Sequence, residues 1–145
     1  MPSIWGMTPR QSVERECELH GHAKMISKCV ALLNGEPVAD AFLLVIGGPA
    51  AGTFLDGREG GHGGYWPRAW ALRAFLYAWD SAATPAVLSA IRDDSWRVRE
   101  AAAKVIARHR LDDGLEVLAD LEHDPVGRVR TAALRARRRL TENGS

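Results

Sequence analysis

The sequence predicts an all-α protein, a short right-handed α-α solenoid of helical hairpins with an irregular helical N-terminal cap. Three observations predict this fold. The chain has 22 alanines but only 7 prolines in 145 residues, and alanine is the strongest helix former. Similar segments recur about every 31 residues in its second half. Apolar residues at helical spacing are separated by helix start and stop signals.

Three segments align with one another, beginning at Tyr65, Ser95 and Val126. Their equivalent positions at a period of 31 are Arg68, Arg99 and Arg130; Ala71, Ala102 and Ala133; and Arg73, Lys104 and Arg135. We expect each segment to be one helix of a hairpin, in which the small alanines let paired helices approach closely. One such hairpin cannot bury its own apolar face, but a stack of hairpins can.

Shorter apolar stretches lie between these segments and predict the partner helices. At a period of 30, Leu88 pairs with Leu118, Ile91 with Leu121, and Asp94 with Asp124. This register places a one-residue insertion in the turn before the third segment. Thr84 before Pro85 and Asp124 before Pro125 are typical of helix starts, where a capping side chain precedes a proline at the first helical position.

The N-terminal 64 residues predict a degenerate helical pair that covers the open end of the stack. One long helix is expected over Pro9–Asn34, and Asn34-Gly35 stops it. A second helix follows Pro37, is apolar over Ala41–Ile46 and ends at two glycines. A short third helix is expected after Pro49.

Composition excludes several classes of protein. No apolar run approaches the roughly 20 residues of a membrane span, and the N-terminus lacks the basic start and apolar core of a signal peptide. We therefore expect a cytoplasmic protein without a membrane partner. Cys17 and Cys29 are 12 residues apart, about 18 Å along one straight helix, too far for a disulfide. They are interpreted as buried thiols in a reducing compartment.

The formal net charge of +1 excludes a globally basic protein but not a local basic patch. Residues 1–64 hold 5 basic and 7 acidic side chains, whereas residues 95–145 hold 11 and 8. The basic end finishes in an arginine run at 135 and 137–139. These cations either complement the dipole of a helix C-terminus or form a patch for nucleic acid or an acidic partner.

An aspartate that ends one unit, followed by V-R-x-A-A at the start of the next, occurs twice. It runs from Asp94 to Val98-Arg99-Glu100-Ala101-Ala102 and from Asp124 to Val129-Arg130-Thr131-Ala132-Ala133. This pattern resembles the HEAT-repeat family, especially its short phycobilisome-lyase-like subclass, over about residues 65–140. In the first unit Pro67 and Trp70 depart from it, so that unit is divergent or caps the stack. The expected organisation is a single domain, 1–145, with the cap and a glycine-rich loop in 1–64, the repeats in 65–140 and a disordered tail in 141–145.

One candidate binding surface combines a glycine-rich loop, residues 57–64, with the aromatic segment that follows it. Trp66, Trp70, Arg73 and Tyr77 share one face of a helix, and aromatic–arginine faces are typical of binding hot spots. The alternative is that the large rings seal the junction between the cap and the first repeat. The loop is either a connector or a ligand-binding loop. The residues predicted to bind a partner are His62, Tyr65, Trp66, Trp70, Arg73 and Trp96.

Trp96 and the arginines near it admit a second interpretation. HEAT-like alkylpurine DNA glycosylases hold DNA with exposed Trp, Arg and Asp side chains on a concave surface, and this chain has similar residues. The nucleic-acid or DNA-repair alternative would use Trp66, Trp96, Arg97, Arg99, Arg128 and Arg130, with Asp93 or Asp94 in the acidic role. Against it, a structural ladder of aspartate–arginine pairs between successive units would comprise Arg68, Asp94, Arg99, Asp124 and Arg130.

The sequence predicts no catalytic residue, metal site or cofactor. Glu16, Glu18, His20 and His22 suggest a metal cluster, but the two histidines point about 200° apart on a helix and cannot share an ion. The repeated His-Glu pairs of the HEAT-repeat di-iron enzyme deoxyhypusine hydroxylase are missing. We therefore expect a non-catalytic scaffold or adaptor that binds another protein.

Overall fold

The computed structural model describes residues 6–55 and 65–142, without the side chains of 53–55. Within these ranges the chain forms helices and no strand, which confirms the all-α prediction. The helices are α1 (Pro9–His20), α2 (His22–Leu33), α3 (Asp40–Gly47), α4 (Pro49–Leu55), α5 (Tyr65–Ala74), α6 (Thr84–Ala90), α7 (Trp96–His109), α8 (Gly114–Leu121) and α9 (Gly127–Thr141). A 3-10 helix, Ser81–Ala83, precedes α6.

The chain divides into two compact units, residues 1–83 and 84–145. The predicted single domain and the right-handed sense of the solenoid both stay predictions. Of the predicted tail, residue 141 still belongs to α9, and 143–145 lie outside the described residues.

The predicted long helix over Pro9–Asn34 is wrong, because the chain breaks at Gly21 into α1 and α2. Gly21 has φ +100°, a conformation that other residues rarely adopt. The distance of about 18 Å between the two cysteines, which assumed a straight helix, therefore does not apply. At the start of α1, Thr8 and Gln11 form a capping box through reciprocal side-chain to backbone hydrogen bonds.

The predicted stop at Asn34-Gly35 is confirmed by a Schellman motif at the end of α2. The amide of Glu36 donates to the carbonyl of Ala31, and the amide of Gly35 donates to that of Leu32. Gly35 has φ +79°, which glycine adopts without strain. The following helix begins at Asp40, three residues later than Pro37.

Helix α5 packs against α2 and α3 in the first unit. The Trp70 side chain is buried and lies against the backbone of Gly47 at the end of α3. A Cβ atom added to Gly47 would lie 2.7 Å from Cε3 of that ring and 2.8 Å from Cβ of Ala51. Gly47 therefore permits a close approach between the indole and α3.

In the second unit, α7 packs on α9, and each has a shorter partner, α6 on α7 and α8 on α9. Four apolar side chains of α7 are fully buried, namely Val98, Ala102, Val105 and Ile106. Three of their 31-residue equivalents on α9, Val129, Ala133 and Ala136, are also fully buried, whereas the equivalent of Ile106 is the exposed Arg137. The aligned alanines Ala102 and Ala133 therefore belong to the buried faces of their helices.

The shorter helices also repeat at 31 residues, so the predicted 30-residue register is wrong. Val87 and Leu118 are both fully buried, whereas Leu88, which the sequence register paired with Leu118, is half-buried. Ala90 and Leu121 are equivalent in the same way. Two adjacent aspartates before α7 made the register ambiguous in the sequence, and no insertion is needed.

We expect Gly47→Ala to lower the free energy of unfolding by about 1–3 kcal/mol, because overpacking against Trp70 outweighs the better helix propensity of alanine. Urea unfolding followed by circular dichroism measures it. In a Trp70→Leu background the same substitution should cost at least about 1 kcal/mol less, since contacting sites couple. An equal cost in both backgrounds would show that the ring is not the obstacle.

Candidate functional site

A buried ion pair joins the start of α7 to the turn that precedes α9. Arg99 Nε donates to Asp124 Oδ2 at 2.7 Å, and Arg99 Nη2 donates to Asp124 Oδ1 at 3.2 Å. The side chains are only 15% and 5% exposed. Such a bidentate pair fixes orientation as well as distance, so it sets how the two helices start relative to each other.

Arg99 and its 31-residue equivalent, Arg130, also bind the backbone of the turn before their own helices. Arg99 Nη1 donates to the carbonyl oxygens of Asp93 and Asp94, at 2.8 and 3.0 Å. Arg130 Nη1 donates to the carbonyl oxygen of Asp124 at 2.6 Å. Arg99 and Arg130 therefore each reach the aspartate six residues before them.

The structure brings Arg99, Asp124 and Arg130 of the predicted ladder together. Asp94 contributes its carbonyl oxygen, and its side chain is exposed. Arg68 lies half-buried on α5, in the other unit. The prediction of a ladder through all five residues stays a prediction.

Asp93, rather than Asp94, is the equivalent of Asp124. Asp93 Oδ1 accepts a hydrogen bond from the Ser95 amide at 2.9 Å, and Asp124 Oδ1 accepts one from the Val126 amide at 2.9 Å. Each is an Asx turn, in which the aspartate side chain accepts a hydrogen bond from the amide two residues later, and the two turns lie 31 residues apart. Sequence reasoning missed Asp93 because it chose the second of two neighbouring aspartates.

The pKa of Asp124 lies below its ordinary value. Burial alone would raise it, but the hydrogen bonds from the Arg99 side chain and the Val126 amide, together with the charges of Arg99 and Arg130, lower it by more. The carboxylate is therefore charged in the folded protein at neutral pH, as its partners require.

An arginine–tryptophan cluster lies beside this ion pair, at the N-terminal ends of α7 and α9. The guanidinium carbons of Arg97 and Arg128 lie 4.5 and 5.3 Å from the centre of the Trp96 ring. Arg128 Nε also donates to Glu100 Oε2 at 3.1 Å, and Lys104 Nζ lies 3.8 Å from the same oxygen. Arg97 is adjacent to Trp96 in the sequence, so its position near the ring could be predicted. Arg128 is the 31-residue equivalent of Arg97, and this equivalence is the sequence feature that indicates the second cation.

The aromatic segment of α5 is divided between surface and core. The Tyr65 and Trp66 ring centres are 4.9 Å apart, and Trp66 stacks on Trp70 at 6.1 Å. Tyr65 and Trp66 are half-buried, whereas Trp70 is 4% exposed. Arg73 Nη2 donates to the Ile46 carbonyl oxygen at 2.6 Å.

Trp70 and Arg73 therefore connect α5 to α3, as the packing interpretation expects. Tyr77 lies beyond the end of α5 and is 37% exposed. His62 and the loop 57–64 lie outside the described residues. The predicted partner-binding set stays a prediction.

The two cysteine thiols differ in environment. Cys29 is fully buried, and burial followed by the nearby Cys17 raises its pKa to about 12. Cys17 is half-buried, and its pKa is also raised, chiefly by burial and then by Glu16 and Glu14. Both thiols are free and protonated at neutral pH, which does not favour a nucleophilic role.

His22, one of the four residues that suggest a metal cluster in the sequence, lines a surface groove of the first unit. The groove, about 530 Å³, is lined by α2 and the 3-10 helix region, with His22, Glu36 and Asp80 among its walls. His22 Nε2 hydrogen-bonds to the Trp79 carbonyl oxygen at 2.9 Å. Within residues 6–55 and 65–142, no three His, Cys, Asp or Glu side chains converge as metal ligands would.

Comparison with known families identifies residues 64–138 as HEAT repeats, slightly more than half of the chain. The chain belongs to the HEAT-repeat family. No curated protein and no solved structure matched it significantly. HEAT repeats generally serve as protein-interaction scaffolds and are typically non-enzymatic. The phycobilisome-lyase-like subclass stays a prediction.

In this HEAT-repeat protein the matched residues begin with α5 and end within α9. The Arg99–Asp124 pair and the Trp96 cluster both lie within them. None of the helices in the described part of the chain is long and apolar enough to cross a bilayer.

We expect Asp124→Asn to lower the free energy of unfolding by about 2–3 kcal/mol at pH 7, because Arg99 loses its charged partner. The folded pKa of Asp124 lies below the unfolded value of about 3.9. The stability from the charged form is therefore complete above that value and lost as the pH falls through the folded pKa. Urea unfolding at several pH values should show the difference from wild type shrinking at acidic pH.

Asp120→Asn is the matched control, since Asp120 Oδ2 lies 3.5 Å from Arg92 Nη2 and both side chains are exposed. We expect it to change stability by less than about 0.5 kcal/mol. A pH-independent difference between wild type and Asp124→Asn would contradict a charged, paired Asp124.

A second comparison tests the 31-residue register. Asp93→Ala removes the acceptor of the Ser95 amide, and we expect a loss of about 1 kcal/mol. Asp94→Ala, whose side chain is exposed, should stay within about 0.5 kcal/mol of wild type. Denaturant unfolding of the two variants decides the register, and a larger loss for Asp94→Ala would restore the 30-residue alignment.

Proposed function

We propose that this chain is a non-catalytic HEAT-repeat adaptor that binds another protein, with Trp96 at the centre of one contact surface. The observation that supports the proposal is the half-buried indole flanked by the guanidinium groups of Arg97 and Arg128. Tryptophan and arginine are the residues most enriched in binding hot spots. A large ring already held in place loses little conformational entropy on binding.

The surroundings of Trp96 favour a surface that keeps its shape. Arg128 is held by Glu100 as well as by the ring, and Glu100 also pairs with Lys104. Beside it, the Arg99–Asp124 pair connects α7 to the turn that precedes α9. Interfaces built on regular elements with side chains fixed by neighbours are well suited to recognition.

Tyr65 and Trp66 are proposed as a contact surface of the first unit. Their rings are half-buried and lie against each other, and Trp66 stacks on the buried Trp70. In this proposal Trp70 and Arg73 support the contact surface from beneath and do not touch the partner.

The nucleic-acid alternative has one observation in its favour, the two arginines around Trp96. Two of its other cations are used within the fold, however, because Arg99 pairs with Asp124 and Arg130 donates to the Asp124 carbonyl. Mobility-shift measurements at two salt concentrations distinguish it, since phosphate contacts give a steep salt dependence. A steep shift with duplex DNA that requires Arg97 and Arg128 would favour this alternative over the adaptor.

Trp96→Ala tests the adaptor directly. Full-length protein with an affinity tag, cross-linked in the native host, is purified and its partners are quantified by mass spectrometry. We expect recovery of the principal partner to fall about tenfold or more, since hot-spot tryptophans contribute at least about 2 kcal/mol. Trp66→Ala measures the contribution of the first unit in the same way.

Leu115→Ala is the control, because Leu115 is a 41% exposed apolar residue of α8 away from the Trp96 cluster. Its partner recovery should equal wild type. Circular dichroism verifies that each variant keeps its helical content. Unchanged recovery with both tryptophan variants would refute the adaptor proposal.

A further inference from the structure

We propose that a basic strip along α7 and α9 binds an acidic helical segment of the partner protein. The strip is defined by five exposed cations, Lys104 and Arg108 of α7 with Arg128, Arg135 and Arg139 of α9. This inference rests on the proposed adaptor function and adds the surface and the chemistry of the partner.

The repeat itself places these cations on one surface. Lys104 and Arg108 are the 31-residue equivalents of Arg135 and Arg139, one turn apart on each helix. Arg128 of α9 contacts both Trp96 and Glu100 of α7, so these faces of the two helices adjoin. The strip is therefore two parallel rows of positive charge.

Most of this charge is not neutralised within the second unit. Helix α9 has six arginines and no acidic residue. Arg108, Arg135 and Arg139 form no ion pair within the described part of the chain. Glu100 is the acidic side chain between the rows, and it is shared by Lys104 and Arg128.

The length and spacing of the strip fit a helix. Arg128 and Arg139 are 11 residues apart, about 16 Å along α9, or three helical turns. Carboxylates at i, i+4 on a partner helix have the same spacing as cations at i, i+4 on α7 and α9. A partner helix with one acidic face can therefore match several cations at once.

An aromatic side chain at one end of the strip favours a protein over nucleic acid. Trp96 is half-buried, and the guanidinium carbon of Arg128 lies 5.3 Å from the centre of its ring. A tryptophan beside arginines is typical of the residues that dominate protein interfaces.

Charge elsewhere also disfavours a long polyanion. The chain has a net charge of only +1, and the hairpin of α8 carries Asp112, Asp113, Glu116 and Asp120 in exposed positions. A long nucleic acid binds best to a protein that is basic over a wide surface, whereas a short acidic helix needs only the strip. The occupant is therefore an acidic amphipathic helix of the partner.

The test uses full-length protein and labelled probes in fluorescence anisotropy. The first probe is a helix-forming peptide of about 14 residues with glutamates at i, i+4 and i+7 and two leucines beside them, long enough for the strip. The second has the same sequence with glutamine for glutamate. The third is a single-stranded RNA of about 12 nucleotides, within the range of single-stranded binding sites.

We expect the acidic peptide to bind more tightly than the other two probes, with an affinity that falls as salt increases. Arg135→Gln/Arg139→Gln should weaken it by about tenfold. The matched control is Arg92→Gln/Arg137→Gln, which removes the same charge from arginines paired with Asp120 and Glu122. It should change the affinity by less than about twofold.

Three results would overturn the proposal. Equal weakening by both double variants would mean that only net charge matters. Tighter binding of RNA, lost in the strip variant, would make the strip a nucleic-acid site. Binding of neither anionic probe would mean that the strip recognises no acidic ligand.

The partner recovered from the host separates this proposal from the adaptor function. If Trp96→Ala abolishes its recovery and Arg135→Gln/Arg139→Gln does not, the adaptor stands and the acidic-helix proposal fails. If neither of these variants nor Trp66→Ala reduces recovery, the adaptor proposal fails. Loss with both, alongside retained recovery with the Arg92 and Arg137 control, supports both proposals.

Discussion

The Arg99–Asp124 pair is the constraint on which the second unit depends. One carboxylate accepts two hydrogen bonds from the guanidinium and one from the Val126 amide, and the carbonyl of the same residue accepts another from Arg130. A buried charge is costly unless its hydrogen-bonding capacity is satisfied, and here the partners come from the turn and from both long helices. The position of α9 relative to α7 is thus fixed by groups that cannot separate without leaving a charge unpaired.

This arrangement explains why the exposed features of α7 and α9 form one surface. With the two helix starts held together, Arg128 reaches the Trp96 ring and Glu100 on the neighbouring helix. Helix α7 packs on α9, and the aligned alanines Ala102 and Ala133 are fully buried. The cations further along these helices, Lys104 and Arg108 on α7 with Arg135 and Arg139 on α9, therefore lie in two parallel rows.

Much of the fold could be predicted from the sequence, because periodicity reports burial. The alanine positions of α7, the stop after α2 and the short helix that begins at Pro49 could all be predicted. Gly21 was not, since an isolated glycine inside a helical pattern is compatible with both a continuous helix and a break. The turn before α7 was misread because either Asp93 or Asp94 satisfies the pattern, and only the hydrogen bond to Ser95 distinguishes them.

The candidate site was less predictable, because the residue type of an arginine or a tryptophan does not show whether its side chain packs within the fold or faces solvent. Arg73 and Arg99 are satisfied internally by a carbonyl and a carboxylate, whereas Arg135 and Arg139 are exposed. Trp70 lies against Gly47, a contact between residues 23 positions apart that no local pattern indicates. The near-neutral net charge therefore does not distinguish arginines that are bonded within the fold from arginines that are exposed. The first group fixes the positions of the helices. The exposed group then forms a recognition surface, and its affinity for a partner depends on the local spacing of the charges and not on the net charge of the chain.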